Sequence, residues 1–396
     1  MFQSLKPLPA DPILSLMAAY REDDNPLKVD LSVGVFKTAS GDTPIFNAVK
    51  LAEAHRLETE TTKAYIGMAG TPGYNSTMLD LLLGKGHEVI KDGRVASMLA
   101  PGGCGALRVA AELVKRSKPD ATVWVSDPTW ANHVPLIGGV GLELKSYPYF
   151  DRDTHGVKFD EMIATLETLG PDDLVLLHAC CHNPTGADLT PQQWDIIADV
   201  AARRGFIPFL DSAYQGLGID LDADAYGVRK MAATVPEMIL AASCSKNFGL
   251  YRDRVGLVAF ITSAIQQPAT EANLKSIARG MYSMPPAHGG AVVEYILSTP
   301  ALKADWQAEL VGLCASINTS RQVLAKGLTA AGVPGQFDWL MENRGMFSIL
   351  DLSKDQIRRL KDEFSVYIVG SGRINLAGVT AGNINYLAAS IAKVHE

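Results

Sequence analysis

Short apolar runs of strand length, each broken off by polar residues and followed by a helical stretch, constrain this chain more than any other feature. Residues 121–126 stop at Asp127-Pro128-Thr129-Trp130, and residues 174–181 stop at His182-Asn183-Pro184-Thr185-Gly186. Residues 207–210 stop at Asp211-Ser212-Ala213-Tyr214, and residues 239–242 stop at Ser243. Near-continuous apolar strands are those buried on both faces, and strands alternating with helices build a mainly parallel sheet. The helix after the second run carries its own punctuation: Thr190 as N-cap, Pro191 in the first turn, Gln193 to complete a capping box and Gly205 at the far end. The expected fold class is therefore α/β with a mainly parallel sheet. Ligands of such sheets collect beyond the carboxyl ends of the strands. Trp130, Asn183, Asp211, Tyr214, Ser243 and Lys246 all fall just past predicted strand ends, which points to one shared site.

The stretch Ser243-Cys244-Ser245-Lys246-Asn247-Phe248-Gly249, with Arg254 eight positions after the lysine, lies between the apolar runs 239–242 and 255–261. A lysine taken at random is a solvated surface group. One pinched between two buried strands is not, and among small hydroxyl residues with a guanidinium nearby it suits a Schiff-base amine whose cofactor also carries a phosphate. Lys246 is accordingly the expected attachment point of pyridoxal 5'-phosphate. Pro101-Gly102-Gly103-Cys104-Gly105 opens an amphipathic helix, and free N–H groups at a helix start form a ready phosphate site. Taken alone, the glycine cluster fits a dinucleotide loop or a tight turn as well. No strand with G-x-G-x-x-G spacing and a later acidic residue accompanies it, which argues against a dinucleotide. A pyridinium ring withdraws electrons only while its nitrogen is protonated, which asks for a buried carboxylate beside it. Asp211 is the candidate, although a lone aspartate after a strand is most often a turn or a cap.

Outside this region the pattern is coarser. Residues 12–20 and 47–60 read as helices, 29–35 as a strand ending near Gly34, and 277–289 as a loop-like breaker. An apolar stripe of Leu302, Trp306, Leu310, Leu313, Ile317, Leu324 and Leu328 marks a long helix over 301–330, and strands are expected around 347–350, 367–369 and 373–376. At 396 residues the chain exceeds what one core usually organises, so two domains are expected. A net charge of −7 without a Lys/Arg cluster speaks against nucleic acid and anionic membrane as partners, leaving small molecules. The N-terminus lacks a targeting pattern and no run reaches membrane-spanning length, so a cytoplasmic location is expected. Five cysteines, odd in number and without paired metal-ligand spacing, read as reduced thiols rather than a disulfide framework or a metal site, with Cys180-Cys181 as filler in a buried strand.

Residues 243–256 resemble the lysine signature of fold-type I pyridoxal-phosphate aminotransferases, in the branch of the aspartate and bacterial aromatic amino-acid aminotransferases. The resemblance runs from Met1-Phe2-Gln3 and Asp11-Pro12-Ile13-Leu14 to Ser371-Gly372-Arg373, nearly the whole chain. It implies an N-terminal arm over 1–12, a small domain formed by 13–42 with 306–396, the latter part opening with a linking helix, and a large cofactor domain over 43–305. It implies Trp130 stacked on the cofactor ring, Asn183 and Tyr214 bonding its phenolic oxygen, and His133 standing behind Asp211. Ser243, Arg254 and the N–H groups of Gly103 and Cys104 would hold the phosphate, with Tyr65 reaching across from the other subunit of a homodimer. Arg373 would grip the substrate α-carboxylate near Gly34, and Arg279 would serve the partner's site by binding a distal carboxylate. Lys246, displaced by substrate, would act as general base and acid, assisted by Asp211 and Tyr214. Judged singly, a tyrosine, a tryptophan or an arginine is more often packing or solvated surface, and a glycine a simple turn.

Two departures shape the expected activity. Cys104 stands where the family usually carries threonine or serine, and a thiol is a far weaker donor than a hydroxyl, so one bond to the phosphate is in question. Ala64 and Met284 stand where aspartate-selective relatives generally carry asparagine, whereas Lys37 and Thr43 resemble the aspartate-selective pattern. The expected reaction moves the amino group of phenylalanine, tyrosine and aspartate to 2-oxoglutarate with ping-pong kinetics. Alternatives on the same cofactor are a strict aspartate aminotransferase or a lyase. From other classes, a non-catalytic regulator lacks spare length or basic charge for a DNA-binding module, and a nicotinamide dehydrogenase would not depend on a lysine.

Overall fold

The computed structural model describes residues 2–8, 10–36, 38 and 42–396. In chain order its strands are β1 (Val29–Asp30), β2 (Val95–Pro101), β3 (Thr122–Asp127), β4 (Glu143–Pro148), β5 (Asp173–His178), β6 (Ile207–Ser212), β7 (Met238–Ser243), β8 (Val255–Ile261), β9 (Phe347–Ile349), β10 (Val366–Tyr367) and β11 (Arg373–Asn375). Strands β2 to β8 form one sheet in the order β2-β8-β7-β6-β5-β3-β4, parallel except for β8. Successive residues of a strand point to opposite faces, and here both faces are apolar. Met98, Val123, Leu176, Phe209 and Ile239 pack with the helices Gly102–Ser117 and Gln267–Met281. Leu99, Val175, Leu177, Leu210 and Leu240 pack into the opposite layer with Phe159–Leu166 and Pro191–Arg204. The helix Pro191–Arg204 begins and ends as its sequence dictates, with the Thr190/Gln193 capping box formed and Gly205 left-handed at φ 81°.

The reversal of β8 positions the site. Its first residue pairs with the last of β2 (Pro101↔Val255), and Gly256 pairs with the last residue of β7 (Ser243↔Gly256). The residue entering β8, Arg254, is thereby brought to the rim where β2 and β7 end.

Both chain ends build a separate layer. β1 pairs parallel with β10 (Val29↔Val366), and β9 pairs antiparallel with β11 (Ile349↔Arg373). The helix Pro300–Ala330 runs from the central sheet to this layer, buried at Trp306, Leu310, Ile317, Leu324 and Leu328. Leu302 and Leu313 of the expected stripe are only half-buried, and Arg321 takes a place within it.

Several expectations are corrected. The strand over 29–35 shortens to β1, because the Asn375 side chain takes the carbonyls of Val33 (2.5 Å) and Val35 (2.8 Å) that a ladder would have used. The run 174–181 leaves the sheet at His178: Asp188 accepts the N–H groups of Cys181 (2.7 Å) and His182 (2.8 Å), turning the chain with Cys181 at φ 52°. Cys180 and Cys181 are thus buried beyond a strand rather than in one. Residues 277–281 are not a loop but the end of Gln267–Met281, whose Leu274, Ile277 and Ala278 continue its buried face. No helix among the described residues is long and apolar enough to cross a membrane.

Candidate active site

A cavity of about 290 Å³ opens at the carboxyl ends of the central strands and reaches the end-built layer. At one corner lie Gly103, Cys104, Ser243 and Arg254. Gly102, at φ 69°, starts the helix, and a Cβ there would stand 2.5 Å from an Arg254 guanidinium nitrogen. Gly256 is equally constrained, since a Cβ on it would stand 2.5 Å from the Gly102 carbonyl carbon. Pro101 caps the helix without a side-chain bond, leaving its first N–H groups for a ligand. Arg254 donates to the Tyr251 carbonyl (3.0 Å) and the Ser245 hydroxyl (3.4 Å), and no carboxylate among the described residues pairs with it. A guanidinium without an anion beside an uncapped helix start is a site built for one. Cys104 adds a thiol that accepts from Asn132 Nδ2 at 3.6 Å.

Lys246 follows β7 in a loop fixed from behind. Phe248 stacks on Trp306 with centroids 4.4 Å apart, and Trp306 Nε1 donates to the Asn247 carbonyl at 2.7 Å. The lysine amine lies 4.6 Å from the Tyr214 ring centre. Burial pushes it below the usual lysine range, with Asp211 opposing, so it is biased toward the neutral, nucleophilic form. Asp211 is driven up by burial, but the hydrogen bond from His133 and the charges of His133, His178 and Lys246 outweigh this and hold its carboxyl below the usual range. An ionised carboxylate only accepts, so His133 Nε2–H must donate to Asp211 Oδ2 (3.0 Å). The opposite ring nitrogen meets Thr129 Oγ1 at 2.8 Å, which also meets His178 Nε2 at 3.3 Å. His178 Nδ1 accepts the Asn183 N–H at 3.5 Å, and burial holds His178 well below the usual histidine range. The four groups form a one-directional chain ending on Asp211. Burial, followed by the charge of Asp211, raises the Tyr214 phenol, with the Asn183 amide among the opposing groups. Asn183 Oδ1 is buried without a partner, and Trp130 meets the His133 ring edge-on at 5.2 Å.

At the far end Arg373, 7% exposed, donates to the Ser32 carbonyl (2.7 Å) and lies 4.5 Å from the Phe347 ring centre. Its Nε has no partner, no carboxylate pairs with it among the described residues, and burial pulls its pKa down. A Cβ on Gly34 would stand 3.0 Å from Phe347 Cζ, so a side chain there would press on the Phe347 ring.

Eleven of the expected residues line this one cavity: Gly34, Gly103, Cys104, Trp130, Asn183 and Asp211, with Tyr214, Ser243, Lys246, Arg254 and Arg373. Tyr65 and Arg279 do not. Tyr65 is 91% exposed, and Arg279 lies on the last turn of Gln267–Met281, exposed and donating to Ser283 Oγ at 2.9 Å. Lys37 lies outside the described residues, while Thr43 donates to the Phe36 carbonyl at 3.0 Å. Residues missed from the sequence are Ser245, His178, Tyr251 and Phe347. Ser245 and Tyr251 flank the lysine in the same motif and His178 ends the strand before Asn183, whereas Phe347 carries no local signal. Sulfur and carboxylate atoms of Cys180, Cys181 and Asp224 lie within 4.8 Å of one another. The Asp224 carboxylate already accepts from Gly216, Gly218 and Ile219 N–H, and against the hydrogen bond with Cys181, which lowers it, burial and the carboxylates of Asp224, Asp188 and Asp211 push the Cys180 thiol up to about 12, which makes these poor metal ligands.

The donor set fits pyridoxal phosphate: a buried amine, an ionised carboxylate, a flat aromatic wall and an anion corner in one cavity. The chain's similarities agree. Residues 26–391 match the family model described as aminotransferase class I and II. An aromatic-amino-acid aminotransferase of Paracoccus denitrificans is 45% identical over 395 residues, covering 100% of both chains. An aspartate aminotransferase of Escherichia coli (strain K12) is 43% identical over 397 residues, again covering 100% of both. Among solved structures, an aromatic-amino-acid aminotransferase from Burkholderia pseudomallei, covalently bound to pyridoxal phosphate, superposes with a TM-score of 0.97 at 40% identity over 100% of each chain.

Proposed function

This chain belongs to the class I and II aminotransferase family, and on that premise we propose that it moves the amino group of phenylalanine, tyrosine and aspartate to 2-oxoglutarate, using pyridoxal phosphate carried on Lys246. The observation that carries the reading is the buried Lys246 amine, standing between an anion corner and the unpaired guanidinium of Arg373. Bound there, the cofactor supplies an electron sink that acidifies the α-carbon of an amino acid. The protein residues do the rest. Arg254, Ser243 and the helix start at Gly103 and Cys104 would hold the phosphate, Trp130 would flank the ring, and Asp211, oriented by His133, would supply the negative charge the ring nitrogen needs. Asn183 and Tyr214 would donate to the phenolic oxygen. Arg373 orients the α-carboxylate, with Gly34 leaving the approach open. Lys246 Nζ would take the proton from the substrate α-carbon, a transfer its depressed basicity suits.

Both donor classes occur in the names of the relatives, and Ala64 and Met284, which do not line this chain's cavity, would make an approach shared with a second subunit more apolar. Arg279, exposed and without a carboxylate partner among the described residues, and Tyr65, almost fully exposed, support a homodimer in which each completes the other subunit's site. Exposed Phe2, Leu5, Leu8 and Leu57 are apolar surface that a second copy would cover. The pairing of both chain ends supports a small domain of 13–42 with 306–396 against a large domain of 43–305, and the composition supports a cytoplasmic enzyme. Steady-state kcat/KM for phenylalanine, tyrosine and aspartate with 2-oxoglutarate tests the reading. Phenylalanine and tyrosine at background would leave a strict aspartate enzyme, and aspartate at background would remove the dicarboxylate half.

A further inference from the structure

Arg321 is a cation in the interior. It is 1% exposed on the inner face of Pro300–Ala330, and no carboxylate among the described residues pairs with it. Its guanidinium is instead spent on one turn of chain. Nη1 donates to the Leu340 carbonyl (3.1 Å) and Ser348 Oγ (2.8 Å), and Nη2 to the carbonyls of Arg344 (2.9 Å), Gly345 (2.6 Å) and Phe347 (2.9 Å). Burial pulls its pKa down to about 10, only partly opposed by Cys181 and Asp188. A planar fork with donors on both nitrogens can reach these five acceptors together, and a lysine ammonium cannot.

The turn it holds faces the cavity from two sides. Phe347 lies under Arg373, its ring centre 4.5 Å from the guanidinium, and meets the Tyr214 ring edge-on at 6.2 Å. The same turn is docked on the loop bearing Asn183: Arg344 N–H donates to the Gly186 carbonyl (2.7 Å) and Asn343 Nδ2 to the Thr185 carbonyl (3.4 Å). Gly186, at φ 75°, is so close that a Cβ on it would collide with the Phe347 carbonyl oxygen and stand 3.2 Å from Arg321 Nη2. We infer that Arg321 is a positioning residue for the substrate-carboxylate end of the site: by fixing residues 340–348 it sets where Phe347 supports Arg373 relative to Asn183. This rests on the reading of Arg373 as the carboxylate grip.

The test uses holoenzyme and 3-phenylpropionate, a carboxylate without an amino group, titrated through the visible cofactor band. Arg373→Leu should lose this binding, which secures the premise; if it binds as wild type does, both the premise and the inference fail. Arg321→Lys is expected to raise the 3-phenylpropionate Kd and the amino-acid KM about tenfold, with kcat and cofactor Kd within twofold of wild type. A merely structural role would instead weaken cofactor binding and thermal stability together and leave the KM-to-kcat ratio unmoved. Ser348→Ala removes a single acceptor and is expected to give a smaller shift of the same kind, about threefold, deciding the matter if Arg321→Lys does not fold. Carboxylate affinity at the wild-type value in the folded variants overturns the inference.

Discussion

Replacing Cys104 by threonine tests the anion corner where the sequence offers a thiol instead of a hydroxyl. The thiol lies in the first turn of Gly102–Ser117, lines the cavity, and is reached by Asn132 Nδ2 at 3.6 Å. A hydroxyl in the same place would accept from Asn132 and have its own proton free for the phosphate, a role a thiol fills poorly. A hydrogen bond to a charged group contributes about 1.5–3 kcal/mol, which is roughly 10- to 150-fold in a dissociation constant. Because the corner already offers Arg254, Ser243 and helix N–H groups to the same anion, the low end applies, a gain of about tenfold. The assay is titration of cofactor-free protein with pyridoxal phosphate, followed by quenching of Trp130 in the cavity wall, with inorganic phosphate as competitor. Cys104→Ser separates the hydroxyl from the added methyl and should reproduce most of the gain. Dissociation constants for both variants within twofold of wild type would refute the reasoning, showing that the backbone and Arg254 saturate the phosphate.

Trp306→Phe keeps the stack on Phe248 but leaves the Asn247 carbonyl without its donor, which should cost about 1–3 kcal/mol in urea unfolding; an unchanged midpoint contradicts this. Lys246→Met concerns the cofactor-free protein. Burial depresses the lysine in the fold, so between that lowered value and the ordinary 10.5 the unfolded chain holds more protons, and wild-type stability rises with pH across this window. The methionine variant should therefore unfold at higher urea than wild type at pH 7, with the gap narrowing toward pH 10. Equal midpoints at pH 7 would dispose of the strained-amine account.

What could be read from the residues alone was whatever is written locally. The helix Pro191–Arg204 announces both ends within its own sequence, and Lys246 and Arg254 belong to one motif bounded by two apolar strands. Asp211 was legible because a pyridinium ring asks for a buried carboxylate and an apolar strand near the lysine motif ends in one. The misreadings have the opposite character. Whether residues 31–35 continue a strand is decided by Asn375, from the other end of the chain. Cys181 looked like strand because nothing near it reveals that Asp188 will take its N–H. Arg321 is an arginine on a long helix, and only the fold of residues 340–348 makes it an interior group. Tyr65 and Arg279 came from the family resemblance, and their exposure leaves their roles to an assembly of two subunits.

The division of the site between the central sheet and the chain ends has a consequence for how the protein comes into being. A ribosome has delivered every group of the anion corner, the amine and its carboxylate by Gly256, whereas the strand partner of β1 and the guanidinium for substrate emerge only with Val366 and Arg373. The groups for the vitamin-derived passenger are therefore all synthesised well before the one that would recognise an amino acid, and β1 waits for its strand partner until Val366.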